Sequence, residues 1–186
     1  MRILFIALLI LFYSAEETFI DKTEAKAAFL LINKVRQSPE NYYKELKFNN
    51  SFKVTNKALT WNDTLAMVAE QKAKDMADRD YYGHVDQGGF GINYQIDKSG
   101  YKIDPDWIKN KEDNYFESIV AEVDNGEDAV KRMIIDEGIP SKGHRKHLLG
   151  NGDWFSSLVD IGIGFARRDS GSTYKNYVSV IIAKHN

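Results

Sequence analysis

The chain has 186 residues, and its 25 lysines and arginines nearly balance its 27 aspartates and glutamates, giving a formal net charge of −2. General nucleic-acid binding, which depends on a clear basic excess, is therefore not expected. A hydrophobic content of 43% argues against intrinsic disorder, and the length predicts a single domain. Cysteine is absent, which excludes cysteine nucleophiles, thiol redox chemistry and Cys-ligated zinc.

The first fifteen residues are typical of a secretory signal peptide. Arg2 provides a short basic region, an unbroken apolar run follows over residues 3–12, and small residues suited to cleavage end the segment. The apolar run is shorter than the roughly 20 residues that a membrane-spanning helix needs, so an uncleaved anchor fits less well. We therefore predict a signal peptide over 1–15 and a secreted, extracellular domain over 16–186 with no further membrane span.

Apolar residues recur at helical spacing in several segments of this domain. They predict helices over residues 21–37, 39–46, 63–79, 91–98 and 126–137. Ser38 is expected to cap the second of these helices, with Pro39 at its first position. In the third, a face of small apolar residues is expected to pack against another layer, while Lys72 and its charged neighbours face solvent.

Three runs rich in β-branched and aromatic residues predict strands over 116–123, 161–166 and 177–183. The last two are joined by an Asp-Ser-Gly turn signal and predict an antiparallel hairpin. Gly162 and Gly164 interrupt the first strand of this hairpin and indicate that a neighbouring segment approaches its backbone closely. The sequence therefore predicts one α+β domain in which helices cover a small antiparallel sheet.

The stretch MIIDEGIPSKGHRKHLLG, residues 133–150, is dense in groups capable of polar chemistry. It ends a helix with an acidic pair, Asp136 and Glu137, turns through glycine and proline, and begins a second short helical run. That run carries His144 and His147, two of the four histidines of the chain. A glycine directly after the acidic pair is expected to provide the positive-φ cap of the first helix. A carboxylate and an imidazole are therefore expected to lie close together.

Two further polar residues lie at predicted element boundaries. His84 follows the 63–79 helix in a loop rich in glycine and tyrosine, and Glu117 begins a predicted strand. Two histidines and two carboxylates would suit a divalent metal ion or proton transfer. Residues of these types are more often helix caps or surface groups, and their spacing alone does not bring them together.

Several motifs occur in a characteristic order along the chain. They are INKVRQSPE, ALTWNDTLAMVAEQKAKDMADRDYYGH, the glutamate of FESI, GHRKHLLG, DIGIGFA and a terminal YVSVIIA strand. In this order the chain resembles the CAP superfamily, or SCP domain (cysteine-rich secretory proteins, antigen 5, pathogenesis-related 1), in its cysteine-free branch. The resemblance runs from about Thr23 to Ala183. It implies a single-domain α-β-α sandwich with a central cleft lined by two histidines and two acids.

The resemblance also implies which residues line the cleft. His84 corresponds to the first histidine of the family and His144 to the histidine of its G-H motif. In some members these two bind zinc or another divalent ion, and carboxylates that fix the imidazole tautomers make physical sense of that role. Glu117 corresponds to the glutamate of the family's E-N pair, whose asparagine is Ser118 here.

The second acid is implied by a W-x-x-E/S pattern, which falls on MIID with Met133 in place of the tryptophan. This match selects Asp136, and the adjacent Glu137 is the alternative. The departures at Met133 and Ser118 affect the expected geometry of the cleft and leave the expected fold unchanged.

Three functions follow from the resemblance as hypotheses. The first is a secreted, non-enzymatic binding, signalling or defence module whose ligand is a sterol, a fatty acid, or an extracellular protein or surface. The second is a metal-dependent hydrolase or protease that uses the same cleft, although the G-x-S-x-G and H-E-x-x-H motifs are absent. In the third, the four polar residues form a buried network that stabilises the fold.

Other polar and aromatic residues carry weaker expectations. His147 is expected at the surface or in packing rather than as a metal ligand. Arg145 is expected to pack on the cleft edge with its charge near a helix start or a carboxylate. Six aromatic residues are candidates for a lipid groove, although packing is the expected role of each: Tyr81, Tyr82, Phe90, Tyr94, Tyr101 and Trp107.

Overall fold

The computed structural model describes residues 17–185, so the predicted signal peptide over 1–15 lies outside the described range. Within that range, the helices surround one five-stranded sheet. None of the helices between residues 17 and 185 combines the length and the apolarity that a membrane crossing requires.

The sheet is built around a long antiparallel pair near the C-terminus. Its strands are β1 (Phe19–Ile20), β2 (Thr60–Trp61), β3 (Glu117–Ala121), β4 (Asp160–Arg167) and β5 (Asn176–Ala183). β5 lies between β3 and β4 and pairs antiparallel with both, which confirms the predicted hairpin. The other edge of β4 pairs with β1 antiparallel and with β2 parallel. The sequence pattern missed β1 and β2 because two residues are too few to display a strand period.

Five of the observed helices correspond to predicted helical segments, with small differences at their ends, and the short α6 was not predicted. The helices are α1 (Lys22–Gln37), α2 (Asp63–Asp78), α3 (Ile92–Lys98), α4 (Gly126–Ile135), α5 (Gly143–Leu149) and α6 (Gly152–Ser156). Three of them begin where an Asx side chain accepts a hydrogen bond from the first turn, at Asp21, Asn62 and Asn125. Such caps satisfy backbone N–H groups that have no partner within the helix.

Two helix predictions need correction. The segment predicted as a helix over 39–46 forms only a 3₁₀ turn, Pro39–Tyr42, and Ser38 makes no side-chain cap. Without a cap, so short a segment gains too few hydrogen bonds to continue as an α-helix. The predicted helix over 126–137 ends at Ile135 because Asp136 adopts the left-handed conformation, with φ 51°.

Helices cover both faces of the sheet, as in an α-β-α sandwich. β5 is buried at all eight positions, which requires cover on both sides. α2 packs along β4 and β5. α1 packs on both β4 and α4, and so links α4 to the sheet. Alternation along β4 directs Gly162 and Gly164 towards α2 and the intervening Ile163 towards the opposite layer.

The two strand glycines allow α2 to lie directly on β4. A Cβ atom added at Gly164 would lie 2.2 Å from the carbonyl oxygen of Ala69, and one at Gly162 would lie 2.1 Å from the amide nitrogen of Ala66. The close approach predicted from these glycines is therefore confirmed. It fixes α2, and with it the start of the loop that carries His84, against the sheet.

Candidate functional site

Both predicted histidines line one cavity of about 300 Å³. His84 comes from the loop after α2, and His144 comes from the first turn of α5. Glu117, the first residue of β3, also lines the cavity. Asp136, at the end of α4, contacts His144 from behind. The fold thus brings together four polar residues that lie far apart along the chain.

The first histidine is held by a buried carboxylate. Nδ1 of His84 lies 2.9 Å from Oε2 of Glu117, whose side chain is fully buried. The other carboxylate oxygen of Glu117 accepts a hydrogen bond of 2.7 Å from the hydroxyl of Ser179 on β5. At the start of β3, the side-chain oxygen of Asn114 accepts a hydrogen bond of 2.9 Å from the backbone amide of Glu117. Both oxygens of the carboxylate are therefore engaged, and its orientation is set.

The second histidine is held in the same way by Asp136. Nδ1 of His144 lies 2.8 Å from Oδ1 of Asp136, and the backbone amide of His144 donates to Oδ2 at 3.0 Å. One carboxylate therefore orients the ring and caps the first turn of α5. The expected glycine cap needs correction, since Asp136 itself is the left-handed residue that ends α4, with Gly138 also at positive φ two residues later.

Glu137, the alternative second acid, does not reach the cavity. Its side chain is 83% exposed, and the carboxylate lies 3.7 Å from Nζ of Lys47. The left-handed conformation of Asp136 turns the chain so that the neighbouring side chains diverge. Of the two acids, Asp136 is the one that contacts a site histidine.

The carboxylates fix the tautomers of both imidazoles. A carboxylate only accepts hydrogen bonds, so Nδ1 of His84 and Nδ1 of His144 carry the protons, and each Nε2 keeps its lone pair. Both rings are partly exposed, with 39% and 30% of their side-chain surface accessible. The cavity therefore offers two electron-pair donors backed by two carboxylates, a pattern that attracts cations.

Lys72 is buried, although the sequence predicted that it would face solvent. The residue is 1% exposed, and Nζ donates to the hydroxyl of Tyr81 at 3.2 Å. Burial lowers the pKa of Lys72, and the negative charge of Glu117 opposes that shift most strongly. The prediction was wrong because the loop after α2 folds back with Tyr81 over this part of the helix.

His147 is a buried residue in the wall of the same cavity, so the surface role considered for it is wrong and the packing role is confirmed. Nδ1 lies 2.8 Å from Oγ of Ser118, and Nε2 has no partner of acceptable geometry among residues 17–185. Burial lowers the pKa of His147 to about 3, and the charge of Arg36 acts in the same direction. The nearby carbonyl of Ile182 favours a proton on Nε2, which leaves Nδ1 to accept from the hydroxyl of Ser118.

Arg145 supports the turn between α4 and α5. Its guanidinium donates to the carbonyls of Ile134 and Ile135 at the end of α4 and to that of Lys47 at 3.3 Å. The charge therefore lies at a helix C-terminus, where a cation is favourable. It also lies near the carboxylate of Asp136, whose negative charge opposes the lowering of the Arg145 pKa by burial, in agreement with the carboxylate expected from the sequence. This contact holds the end of α4 against the beginning of α5.

The aromatic residues considered for a lipid groove do not share one cavity. Phe90 and Tyr94 stack at 4.5 Å between ring centroids and line a second cavity of about 490 Å³. Tyr101 is buried and stacks on His185, while Trp107 packs edge-on against aromatic rings of the core. These placements favour packing roles for most of the set.

Metal coordination at the site would rest on the two imidazoles. Among the described residues, no group of three or more His, Cys, Asp or Glu side chains is arranged to hold a metal ion. The carboxylates of Glu117 and Asp136 bind the Nδ1 atoms and so lie behind the rings. Such carboxylate–histidine pairs are the usual support of histidine metal ligands.

Asp136→Ala is expected to lower the free energy of unfolding by about 2 kcal/mol. Alanine is disfavoured in the left-handed conformation by about 1–2 kcal/mol, and losing the cap of α5 costs about 1 kcal/mol. Asp136→Asn tolerates the left-handed conformation and keeps a cap oxygen, so its loss should stay within about 1 kcal/mol. Urea unfolding at neutral pH measures both variants. Equal losses would contradict the capping role.

Comparisons with known proteins agree with the fold. The model of the CAP family, described as the cysteine-rich secretory protein family, matches residues 31–182. The chain is also similar to the crystal structure of an extracellular protein containing an SCP domain from Bacillus anthracis, with a TM-score of 0.56 and 21% sequence identity. This similarity covers 88% of the chain but only 41% of the Bacillus protein, and at this identity it shows the fold alone. No curated protein sequence matches the chain.

Proposed function

Because the chain belongs to the CAP family of cysteine-rich secretory proteins, we propose that it is a secreted, non-enzymatic binding module whose His84–His144 cleft holds a divalent metal ion. One observation carries the proposal. Each imidazole has its Nδ1 bound to a buried carboxylate, and both rings line the same cavity. Two oriented Nε2 lone pairs facing one space are suited to a cation and unsuited to an anion.

The chemistry of these donors fits zinc. Neutral imidazole nitrogens are good zinc ligands, and the hydrogen-bonded carboxylates raise their basicity. Two protein ligands are fewer than the three of a typical catalytic zinc site, so the remaining positions would be filled by water or by groups of a ligand. The expected affinity is therefore moderate and falls on acidification, because protonated imidazole does not bind metal.

Secretion is proposed from the N-terminal sequence and is consistent with the comparison. Residues 1–15 have the basic, apolar and small-residue regions of a signal peptide. The structurally similar Bacillus protein is described as extracellular. An extracellular binding module without cysteine would keep its fold regardless of the redox state of its surroundings.

The rim of the cavity indicates which of the hypothesised ligands fits best. Tyr115 and Ile139 lie there with 42% of each residue exposed, and Phe155 lines the wall. Large apolar side chains beside two cation-binding nitrogens suit a ligand that joins an apolar part to a metal-binding oxygen. Of the candidate ligands, a fatty acid matches this combination better than a sterol does.

The enzymatic alternative receives less support from the same geometry. A metal ion in the cleft would polarise a bound carbonyl or acidify a bound water. The chain would then need a general base, but both oxygens of Glu117 are engaged, and Asp136 binds His144 through one oxygen while capping α5 through the other. His147, with a pKa of about 3, is a weak base at neutral pH.

Zinc titration by calorimetry at about pH 7.5 and about pH 5.5 tests the proposal, since histidine titrates across this range. We expect micromolar or tighter binding at the higher pH, weaker binding at the lower pH, and none in the His84→Ala/His144→Ala variant. His185→Gln is the matched control, because this exposed histidine stacks on Tyr101 away from the cleft. Absence of zinc binding by the unaltered protein, or equal binding by the double variant, would overturn the metal site.

A further inference from the structure

The two histidine–carboxylate pairs belong to different parts of the fold. His84 and Glu117 are joined to the sheet through β3, whereas Asp136 and His144 lie on the turn between α4 and α5. A metal ion shared by both imidazoles requires a defined distance between these parts. Nothing within either pair sets that distance.

One hydrogen bond joins the two parts next to the site. Oγ of Ser118 lies 2.8 Å from Nδ1 of His147, and within residues 17–185 this is the hydrogen bond that links β3 directly to α5. Ser118 immediately follows Glu117 on the strand, and His147 lies one helical turn after His144. The bond therefore connects the backbone beside one pair to the helix that carries the other.

We propose that Ser118 and His147 are positioning residues whose hydrogen bond sets the spacing of the two metal-binding imidazoles. The inference rests on the proposed function of the cleft, since it assigns these residues a role towards the metal held by His84 and His144.

The burial of this bond makes it a stiff connection. Ser118 is 1% exposed and His147 is 4% exposed, so little water reaches either group, although both line the cavity. In a low-dielectric surrounding a hydrogen bond is electrostatically stronger than in water. His147 also packs against Phe155, with 5.7 Å between ring centroids, which restrains the ring from its other side.

The unpaired nitrogen of His147 argues that stability is not the main purpose of the pair. Nε2 is buried, and among the described residues its nearest acceptor, the carbonyl of Ile182, does not have the geometry of a full hydrogen bond. An unsatisfied buried donor is destabilising, and an apolar pair of similar size in place of both side chains would be neutral or stabilising. A role in setting the spacing of the site explains why Ser118 and His147, two polar residues, occupy buried positions where apolar residues would be more stable.

A serine bonded to a histidine also occurs in nucleophilic catalysis, but the surroundings differ here. In such sites a third group, usually a carboxylate, orients the imidazole and stabilises its protonated form. Within the described residues no carboxylate contacts His147, and its burial and the nearby charge of Arg36 both disfavour its protonation. The geometry therefore favours positioning over proton transfer.

Three variants test the positioning role. Ser118→Ala/His147→Leu removes both polar groups and should remain folded, with a thermal unfolding temperature at or above that of the unaltered protein. Its zinc affinity should fall about 10–100-fold, as is typical when the support of metal ligands is lost. His147→Asn is the control, because an asparagine amide reaches the position of Nδ1 and can keep the bond to Ser118. Ser118→Ala alone removes one hydroxyl, and it replaces the double variant in the zinc measurement if the double variant does not fold.

The readouts separate the positioning role from the metal site itself. Unchanged zinc affinity in a folded Ser118→Ala/His147→Leu variant, or equal loss in His147→Asn, would overturn the inference. If the unaltered protein binds no zinc, the proposed function fails, and ring nitrogen NMR of the metal-free protein still tests positioning. The signals of His84 and His144 should then broaden or double in the double variant and stay sharp in His147→Asn. Sharp, unshifted signals in all variants would overturn the positioning role on its own.

Discussion

Replacing Gly164 by alanine is expected to lower the free energy of unfolding by about 3 kcal/mol or more, the upper end of the range for overpacked cores. The added Cβ would lie 2.2 Å from the carbonyl oxygen and 2.3 Å from the carbonyl carbon of Ala69. These are backbone atoms of α2, so no side-chain rotation relieves the contact. The helix would have to move away from β4 along much of its length. Guanidinium unfolding monitored by circular dichroism measures the loss.

Gly83→Ala is the matched control for this prediction. Gly83 lies in the loop after α2, where an added Cβ would meet no atom closer than 3.9 Å. Its stability should remain within about 0.5 kcal/mol of the unaltered protein, as is usual for surface substitutions. If Gly164→Ala were as stable as Gly83→Ala, the close packing of α2 on β4 would be wrong.

Acidification is expected to destabilise the protein through His147. Its pKa is about 3 in the folded protein and near the ordinary value of 6.5 when the chain is unfolded. Between these values the unfolded state binds a proton that the folded state excludes, so stability falls as pH falls. The loss of stability is small above about pH 6.5, grows by about 1.4 kcal/mol per pH unit below it, and reaches about 3 kcal/mol at pH 4.5.

His147→Asn isolates this contribution because asparagine does not titrate. Carboxylates with lowered pKa, such as Asp21 and Asp78, also lose stabilising interactions in acid, but they do so equally in both proteins. The variant should therefore lose about 3 kcal/mol less than the unaltered protein between about pH 7.5 and about pH 4.5. Urea unfolding at the two pH values gives the difference. Parallel losses in both proteins would show that His147 is accessible to protons in the folded state.

Local chemistry accounts for the elements that the sequence predicted well. Asp21, Asn62 and Asn125 each accept a hydrogen bond from a helix amide within a few residues, so the starts of three helices depend on neighbours in the chain. The hairpin of β4 and β5 depends on two apolar runs and one turn. The segment after Ser38 failed as a helix because no such local cap formed there.

The candidate site was only partly accessible to sequence reasoning. The motif resemblance indicated His84, Glu117 and His144, and the structure places these three around one cavity. It left Asp136 and Glu137 as alternatives. The direction of each carboxylate depends on the left-handed backbone conformation at Asp136, which cannot be read from two adjacent acidic residues in the sequence. Contact with His144 distinguishes Asp136 from its neighbour.

The sequence by itself determined the composition class, the helices and long strands with their caps, and the glycines on which two layers meet. The tertiary structure decided the supports of the site, namely the bond from Ser179 to Glu117 and the bond between Ser118 and His147. The reason is physical. Caps and periodicity act over a few residues, whereas these partners are 29 to 62 residues apart and meet only once the sheet and helices have packed.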